Sequence, residues 1–309
     1  HLKHDWPAMI AIGEETRYIG DALAIVAART KKIARQAVQM IRLEYEELPP
    51  VLSPQASMAA DAPNLHPGGN ILSRVEFSRG NVQQAIAGAA HVVTRSYQTP
   101  PTEHAFLEPE SALAVPGANG RMTVYIASQS VYDDFHGIAA TLGLPEGQVR
   151  VVSKLVGGAF GGKEDLSVQH HAALLAQKTG KPVKLTLSRQ ESIRVHPKRH
   201  AMEISLTTAC DHDGKLVAMK ARIVADTGAY ASLGGPVVQR ACTHVSGPYS
   251  IPSIEISGVA VYTNNPPAGA FRGFGVPQAT FASEMNLNLL ADLTGLSPWE
   301  IRYRNALEP

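Results

Sequence analysis

The stretch that decides the fold reads VGGAFGGKE and spans residues 156–164. Four glycines surround Phe160, between an apolar, strand-like segment at 149–156 and a helix-like segment at 166–177. Glycine adopts positive φ without strain and lets backbone N–H groups come close to an anion, while the N-terminal end of a following helix adds positive charge. The segment therefore predicts an anion-binding loop between a strand and a helix.

One interpretation of this loop is a nucleotide-binding site. Gly157 to Lys163 has the spacing of the phosphate loop G-x-x-x-x-G-K, but Glu164 follows where such loops carry Ser or Thr. That hydroxyl holds Mg²⁺, and a carboxylate in its place would repel the phosphates. The P-loop nucleotide-binding interpretation is weakened at its metal ligand, and it stays open at this point.

A second glycine-rich loop lies downstream, and phosphate-loop proteins do not call for it. It reads AFRGFGVPQ and spans residues 270–278. Together, the two motifs resemble the molybdenum-binding subunit of the xanthine dehydrogenase and aldehyde oxidase family, and the likeness extends over nearly all of the 309 residues. The resemblance implies a molybdenum–pterin cofactor, with or without a nucleotide extension, that hydroxylates a heteroaromatic ring or an aldehyde with water as the oxygen source. It also implies that no protein side chain ligates the metal directly.

Four residues match the family's cofactor-binding positions. Phe160 and Gly161 match loop residues that lie against the metal's oxo ligand and the pterin, where their amides would be preorganised donors. Gln129 matches the glutamine that donates to the oxo group, and an amide suits this role because it donates without adding charge. We count Gln129 as catalytic as well. Arg272 matches an arginine beside the cofactor, whose fork of donors suits oxo and phosphate oxygens. The competing interpretations are a tight structural turn, a solvated glutamine and an arginine paired with a carboxylate.

Three residues bear on the substrate. Phe274 matches the aromatic side chain that stacks on a flat ring, although a core phenylalanine is the competing interpretation. Glu164 and Arg240 match the catalytic acid and arginine that purine-oxidising relatives place on opposite sides of the ring, bonding its N–H groups and its carbonyl oxygen. Aldehyde-oxidising relatives often carry apolar residues at these positions, so Arg240 is the more diagnostic of the two. A solvent-facing or paired charge is the alternative for both.

The resemblance predicts part of a xanthine dehydrogenase-like oxidoreductase that acts on a purine-like heterocycle. An aldehyde or nicotinate-type dehydrogenase subunit is the alternative. The sequence offers no ligands for a [2Fe-2S] cluster or for FAD, so both are expected on partner chains or domains. The family's general base is a glutamate in a glycine-rich motif far toward the C-terminus of the full subunit, and nothing here resembles it. We therefore expect a chain that a C-terminal half completes and that is inactive alone; a non-catalytic scaffold is a further alternative.

Composition narrows the class of protein. The chain is 44% apolar and 18% charged with a formal net charge of +1, which is typical of a globular protein and does not predict a nucleic-acid surface. The longest apolar run, residues 22–28, is far shorter than the roughly 20 residues of a membrane span, and no signal peptide is recognisable. Cys210 and Cys242 are the two cysteines, and they match no iron–sulfur or zinc pattern. Both are expected to be reduced and buried, as in a cytoplasmic protein.

The order of elements predicts an α+β fold in two parts, of which residues 1–70 are a partial α/β hammerhead domain and a linker. Alternation and apolar content predict strands at 23–28 and 43–46. Thr30 can cap a helix between them. Proline, alanine, serine and glycine dominate 49–69, which is typical of a linker.

Residues 71–309 are predicted to form the first molybdenum-cofactor-binding domain. Residues 203–209 and 216–226 predict a β-hairpin, because apolar and charged residues alternate along the second arm. The helix after the first glycine motif is predicted to end at Gly180. A helical stripe that ends at Gly295 consists of Phe281, Met285, Leu289 and Leu293.

Three constellations are set aside. His196 and His200 have metal-like spacing but no Cys or acid beside them in sequence, so a surface position is the favoured interpretation. His170 and His171 are adjacent on a predicted helix and point in different directions. Residues 223–226 imitate the strand of a nucleotide-binding site, yet an apolar run that ends in Asp is common by chance.

Overall fold

The structure is a computed structural model that describes residues 5–308. Two mixed β-sheets and the helices packed on them make up most of that range. The strands are β1 (Ile71–Arg79), β2 (His91–Thr99), β3 (Ser111–Pro116), β4 (Met122–Ile126), β5 (Val149–Ser153), β6 (Val183–Thr186), β7 (Ala201–Cys210), β8 (Leu216–Gly228) and β9 (Ser253–Tyr262). The helices are α1 (Lys31–Met40), α2 (Pro54–Ser57), α3 (Val82–Ala87), α4 (Val131–Leu142), α5 (Gln169–Thr179), α6 (Arg189–Val195), α7 (Gly234–His244), α8 (Val276–Thr294) and α9 (Pro298–Asn305).

The larger sheet has five strands in the order β1-β9-β8-β7-β2. β7 and β8 pair antiparallel, which confirms the predicted hairpin, whereas β8 and β9 run parallel. Along β8, Ala221 and Ile223 are buried while Lys220 and Arg222 are exposed, so the predicted alternation marks the face that packs inward. Helices α7 and α8 cover that face and share one apolar core with it.

The smaller sheet has four strands in the order β5-β4-β3-β6. Only the β4–β5 pair is parallel, and α4 and α5 lie against one face of the sheet. Val124, Ile138 and Ala173 represent the buried core between them. The chain leaves the end of β5 at Ser153 and enters the glycine-rich motif, so this sheet positions the first half of the candidate site.

The two strands predicted in the first 70 residues do not form. The helix between them does: Thr30 accepts a hydrogen bond from the Ile33 N–H as its N-cap. Neither 23–28 nor 43–46 has a strand beside it within residues 5–308, so no ladder of backbone hydrogen bonds defines them. None of the residues of α1 is buried, and its apolar stripe therefore covers nothing in the described part of the chain.

The segment predicted as a linker is held against the larger sheet. The Val51 N–H donates to Asn264 Oδ1 at 2.8 Å, and the Ser57 hydroxyl donates to the Tyr262 carbonyl oxygen at 2.6 Å. Residues 53–57 form the short helix α2 with its own serine N-cap. The boundary near residue 70 stays a prediction, since these contacts join its two sides.

The longest helix, α8, ends at Gly295 in the left-handed region, as its sequence predicted. Its buried face includes Ala282, Asn286 and Leu290, whereas Phe281, Met285 and Leu293 of the predicted stripe are exposed. Within the described range, neither α8 nor any other helix has the length and apolar character needed to cross a membrane.

Candidate cofactor site

The first glycine loop, residues 157–164, is folded around the side chain of Gln129. Phe160 and Gly161 both have positive φ, at 55° and 100°. Gln129 Oε1 accepts the Gly161 N–H at 3.0 Å and the Lys163 N–H at 3.2 Å. Because the carbonyl end of this side chain is committed to the loop, its amide Nε2 is left as a donor that points away from those bonds.

The second glycine loop, residues 270–275, lies directly against the first. The Arg272 N–H donates to the Phe160 carbonyl oxygen at 2.8 Å. A Cβ atom on Gly161 would lie 2.8 Å from the carbonyl carbon of Ala270, which is closer than real Cβ contacts allow. The structure thus brings together two motifs that are more than a hundred residues apart in sequence, and glycine at 161 is what permits the close approach.

Three hydrogen-bond donors around this junction have no acceptor among residues 5–308. They are the Gln129 side-chain amide, the Phe160 N–H and the Arg272 guanidinium, and all three residues are exposed. The Gly161 N–H was expected to be a fourth donor, but it is bonded to Gln129. The arrangement can bind an electron-rich group such as an oxo or phosphate oxygen. A structural pairing of Arg272 with a carboxylate is not found in the described part of the chain.

Helix α7 places Arg240 beside the second glycine loop. A Cβ atom on Gly275 would lie 2.4 Å from the Val237 carbonyl oxygen and 3.1 Å from the Ala241 nitrogen, so this loop rests on the turn that carries Arg240. The Arg240 side chain is exposed. Phe274 is partly buried and packs against the core of the larger sheet, which agrees with its competing interpretation as a core residue. Its role in substrate binding stays a prediction.

Glu164 ends the first glycine loop in a half-buried position. Burial raises the pKa of its carboxyl group, and the nearby carboxylates of Asp165 and Asp133 raise the pKa further. The Asp165 carboxylate itself accepts the Ser232 hydroxyl at 2.9 Å. A glutamate with a raised pKa keeps its proton over a wider pH range, so it can donate a hydrogen bond as well as accept one. No contact joins the side chains of Glu164 and Arg240 in residues 5–308.

The geometry contradicts the nucleotide-binding interpretation of the first glycine loop. Lys163 Nζ lies 2.6 Å from Glu108 Oε1 and is buried, so it is not available to a phosphate. The same carboxylate oxygen accepts the Gly157 N–H at 2.7 Å. Helix α5 begins only at Gln169, and its N-terminus is therefore not joined directly to the loop. The loop is closed on itself by an acidic side chain instead of being open to an anion at Lys163.

A buried cluster beneath the loops was not found from the sequence. It consists of the buried His104, Glu110 and His196 and the partly buried Glu103 and Lys198. The expectation that His196 and His200 lie on the surface is wrong, since both are almost fully buried. Burial lowers the pKa of His104 to about 4 and that of His200 to about 3. The available signal was the density of titratable residues in EHAFLEPE, residues 103–110.

The same cluster contains a set of side chains that could hold a metal ion. One ligand atom each from Glu103, His104 and His196 lies within 4.8 Å of the others. Lys198 Nζ, however, lies 2.6 Å from Glu103 Oε2. The ammonium group already supplies a positive charge to the Glu103 carboxylate, so this ligand of the set is paired without an ion.

Comparison with known proteins identifies a matching family and several related chains. The family described as molybdopterin cofactor-binding domain matches residues 65–306. A Bacillus subtilis (strain 168) protein named as a probable xanthine dehydrogenase subunit is 44% identical over 96% of this chain, which spans 40% of that protein's length. The nicotinate dehydrogenase large molybdopterin subunit of Eubacterium barkeri is 41% identical over 96% of this chain and 69% of its own length. The solved structure of aldehyde oxidoreductase from Desulfovibrio gigas has a TM-score of 0.88 and 32% identity over 91% of this chain and 31% of its own.

Proposed function

Because this chain belongs to the molybdopterin cofactor-binding domain family, we propose that it forms one wall of the cofactor site in a molybdenum hydroxylase that oxidises a purine-like heterocycle. The observation that carries the proposal is the junction of the two glycine loops, with Gln129 bonded to one of them and three donors that have no acceptor in the described part of the chain. The nucleotide-binding alternative is set aside on the buried Lys163–Glu108 pair.

The donor set fits a molybdenum–pterin cofactor. Oxo and phosphate oxygens are strong acceptors, and the site offers them a neutral amide from Gln129, a backbone N–H from Phe160 and a charged guanidinium from Arg272. The positive φ values of the first glycine loop expose its backbone at Phe160, so this donor needs no side-chain movement to reach its acceptor. Gly161 contributes close approach, since its own N–H holds Gln129 in place.

The bound cofactor would supply a centre that accepts two electrons. In the overall reaction a ring C–H and one water become a C–OH, and two electrons and two protons are released. The electrons would leave to a [2Fe-2S] cluster and FAD on partner chains or domains. A base must also take a proton from the attacking oxygen, and we assign it to the remainder of the subunit, because this chain spans 40% of the Bacillus relative.

The substrate-recognising residues of this chain are Arg240, Glu164 and Phe274. As the hydroxyl adds to the ring, negative charge builds on the ring heteroatoms, and Arg240 beside the second glycine loop stabilises that charge. Glu164, whose pKa burial raises, bonds the ring N–H groups from the other side. In this proposal, Phe274 stacks on the ring. Xanthine and nicotinate, in the names of two relatives, are both nitrogen heteroaromatics.

The alternative is a subunit that oxidises nicotinate or an aldehyde. The resemblance to a nicotinate dehydrogenase subunit and to an aldehyde oxidoreductase favours keeping it. A charged Arg240 suits a ring that carries a carbonyl oxygen or a carboxylate better than it suits a neutral aldehyde. We place the protein in the cytoplasm, where the free, buried cysteines Cys210 and Cys242 would stay reduced.

The test is to purify the complete complex, with the remainder of the subunit and its iron–sulfur and FAD partners, and to measure its molybdenum content and its substrates. We expect close to one molybdenum per catalytic subunit and faster oxidation of xanthine or hypoxanthine than of nicotinate or benzaldehyde. The product should carry ¹⁸O when the reaction runs in labelled water. A complex that lacks molybdenum contradicts the proposal, and a loaded complex that prefers nicotinate or benzaldehyde contradicts the purine assignment alone.

A further inference from the structure

Beneath the two glycine loops lies a pair of buried imidazoles, His104 and His196, that the proposed function does not use. Their rings meet edge to face with centroids 5.1 Å apart. His104 Nε2 bonds to the Ala270 carbonyl oxygen at 2.8 Å, and His196 Nε2 bonds to the Gly162 carbonyl oxygen. A carbonyl oxygen only accepts, so both ring nitrogens are donors. One imidazole therefore holds the second glycine loop, and the other holds the first.

The backbone above the rings leaves no room for a side chain. A Cβ atom on Gly162 would lie 2.7 Å from His196 Cε1 and 2.8 Å from His104 Cγ. Both rings thus press against the same residue of the first glycine loop. His104 also stacks on Phe271 of the second glycine loop, with centroids 4.1 Å apart. Any shift of either ring is passed to a loop, because interiors packed this closely do not absorb such movements.

The histidine pair provides a second connection between the two glycine loops. The two loops touch directly, since the Arg272 N–H donates to the Phe160 carbonyl oxygen at 2.8 Å. They also touch through His196, the face of His104 and the Ala270 carbonyl. Two independent connections fix a relative position where a single hydrogen bond would leave a hinge. The residues whose positions are fixed in this way carry two of the three donors that have no acceptor among residues 5–308.

We propose that His104 and His196 are positioning residues, which set the distance between the Phe160 end of the first glycine loop and the Arg272 end of the second. The proposal rests on the molybdenum function proposed above. Neither imidazole touches the cofactor or the substrate in this scheme. Each acts through the carbonyl group it holds, so that oxo- and phosphate-binding donors are presented in one fixed geometry.

A metal site is the main competing interpretation of the histidine pair. Ligand atoms of Glu103, His104 and His196 lie within 4.8 Å of one another. The charges around the pair favour positioning instead. Lys198 Nζ lies 2.6 Å from Glu103 Oε2, and a second carboxylate, Glu110, lies 3.6 Å from His196 Nε2. The Glu103 carboxylate is thus already paired, and each ring is held without an ion by the bond from its Nε2 to a loop carbonyl.

The experiment replaces each histidine by phenylalanine, which keeps a ring but removes the donor, and by glutamine, which keeps a donor. The complete complex is used. The measurements are kcat per bound molybdenum, KM, zinc content, melting temperature and hydrogen–deuterium exchange of residues 157–163 and 270–275. His136→Phe is the matched control, because His136 is an exposed histidine on α4 that pairs with a surface glutamate.

We expect His104→Phe and His196→Phe each to lower kcat per bound molybdenum by roughly 10- to 100-fold, as a displacement near 1 Å does, while KM changes little. The Gly161 and Lys163 amides should exchange faster, since their bonds to Gln129 loosen. The glutamine variants should recover kcat per bound molybdenum to within about threefold of wild type, because the donor is restored. His136→Phe should leave every measurement unchanged.

Three outcomes overturn the positioning role. The first is a lower melting temperature with unchanged kcat per molybdenum and unchanged loop exchange, which makes the pair part of the core only. The second is stoichiometric zinc that His196→Phe removes. If neither phenylalanine variant folds, the glutamine variants decide. The third outcome is then a folded glutamine variant whose kcat per bound molybdenum is below about a tenth of the wild-type value. A wild-type complex without molybdenum contradicts the proposed function instead, and loop exchange then still decides whether the pair positions the loops.

Discussion

Gln129 shows how one side chain divides its work between structure and chemistry. Its oxygen accepts two backbone N–H groups of the first glycine loop, so the orientation of the amide is set by bonds and does not depend on how the side chain would rotate in solvent. The remaining Nε2 donor is therefore aimed in a fixed direction. In the same loop, the Gly161 N–H donates to Gln129, whereas the Phe160 N–H has no acceptor in the described residues. The site is preorganised because the donors that hold the loop and the donors that face a ligand are different groups.

Arg240→Met tests the substrate class at the scale of one residue. We expect kcat for xanthine to fall by roughly 10²–10³, the usual loss when one donor to a developing charge is removed. Oxidation of benzaldehyde should suffer far less, because a neutral aldehyde presents no ring carbonyl to the arginine. Steady-state kinetics of the complete complex with both substrates measure this.

Arg222→Met serves as the control for that comparison, since Arg222 is an exposed arginine on β8. Its replacement should leave kcat unchanged for both xanthine and benzaldehyde. An equal slowing of xanthine and benzaldehyde by Arg240→Met would mean that Arg240 supports the fold or the cofactor. The purine assignment would then be dropped while the molybdenum function stands.

Arg272→Ala tests cofactor retention. The guanidinium has no carboxylate partner among residues 5–308, so its loss removes charge-assisted bonds to the cofactor and leaves no protein group unpaired. Such bonds contribute about 1.5–3 kcal/mol each, which corresponds to a loss of affinity of roughly 10- to 150-fold. Molybdenum content after dialysis should fall in Arg272→Ala and fall less in Arg272→Lys. Full molybdenum content and normal turnover in the alanine variant would show that Arg272 is not a cofactor ligand.

At the scale of elements, the site depends on how two helices are anchored on the smaller sheet. Helix α4 begins just after Gln129, and helix α5 follows the first glycine loop. The two are joined by a buried hydrogen bond, in which Gln169 Nε2 donates to Asp134 Oδ1 at 2.6 Å. Burial raises the pKa of Asp134 to about 6. The second carboxyl oxygen has no partner in the described part of the chain.

This buried carboxyl predicts a pH dependence of stability. The folded chain binds a proton at Asp134 between about pH 4 and 6, where the unfolded chain has lost it, so stability falls as pH rises through that window. The loss is on the order of 2–3 kcal/mol. Asp134→Asn removes this titration, so its stability relative to wild type should increase from pH 4.5 to pH 7.

Urea unfolding of wild type and variant at the two pH values measures the effect. Asp292→Asn is the control, because Asp292 is an exposed aspartate on α8, away from the smaller sheet. The difference between this control and wild type should stay constant between pH 4.5 and 7. A constant difference for Asp134→Asn as well would mean that Asp134 is ionised in the folded chain throughout.

At the scale of the whole molecule, apolar side chains remain uncovered at two ends of the chain. Ile33, Val38 and Met40 of α1 are exposed, and so are Trp299 and Tyr303 of α9, which stack on each other with centroids 4.9 Å apart. Apolar groups of this size on one surface are typical of contacts with other protein surfaces. The chain spans 40% of the Bacillus relative, and under the proposed function these side chains would contact the remainder of the subunit.

We expect residues 1–309, purified alone, to retain no molybdenum and to show no oxidation of xanthine. Under the proposed function the described donors form one wall of the site, and the base and the opposite wall come from the remainder of the subunit. Co-expression with the remainder of the subunit should restore both molybdenum and activity. Near-stoichiometric molybdenum, measured by mass spectrometry of the chain alone, would contradict this expectation.

The sequence alone determined the elements whose signals are local. The β7–β8 hairpin, the left-handed glycine ends of α5 and α8 and the capping of α1 by Thr30 follow from residues within a few positions of each other. The two glycine motifs were also sufficient to identify the family, because their length makes a chance match improbable.

Only the tertiary structure decided which segments meet. Strands at 23–28 and 43–46 failed because a strand needs a neighbour to complete its hydrogen bonds, and no local pattern supplies one. Lys163 was removed from phosphate chemistry by Glu108, which lies 55 residues earlier in the chain. His196 was buried beneath the loops, although Arg194, Lys198 and Arg199 lie close to it in sequence. Each outcome depends on contacts between residues far apart in sequence, whose geometry exists only once the sheets have packed.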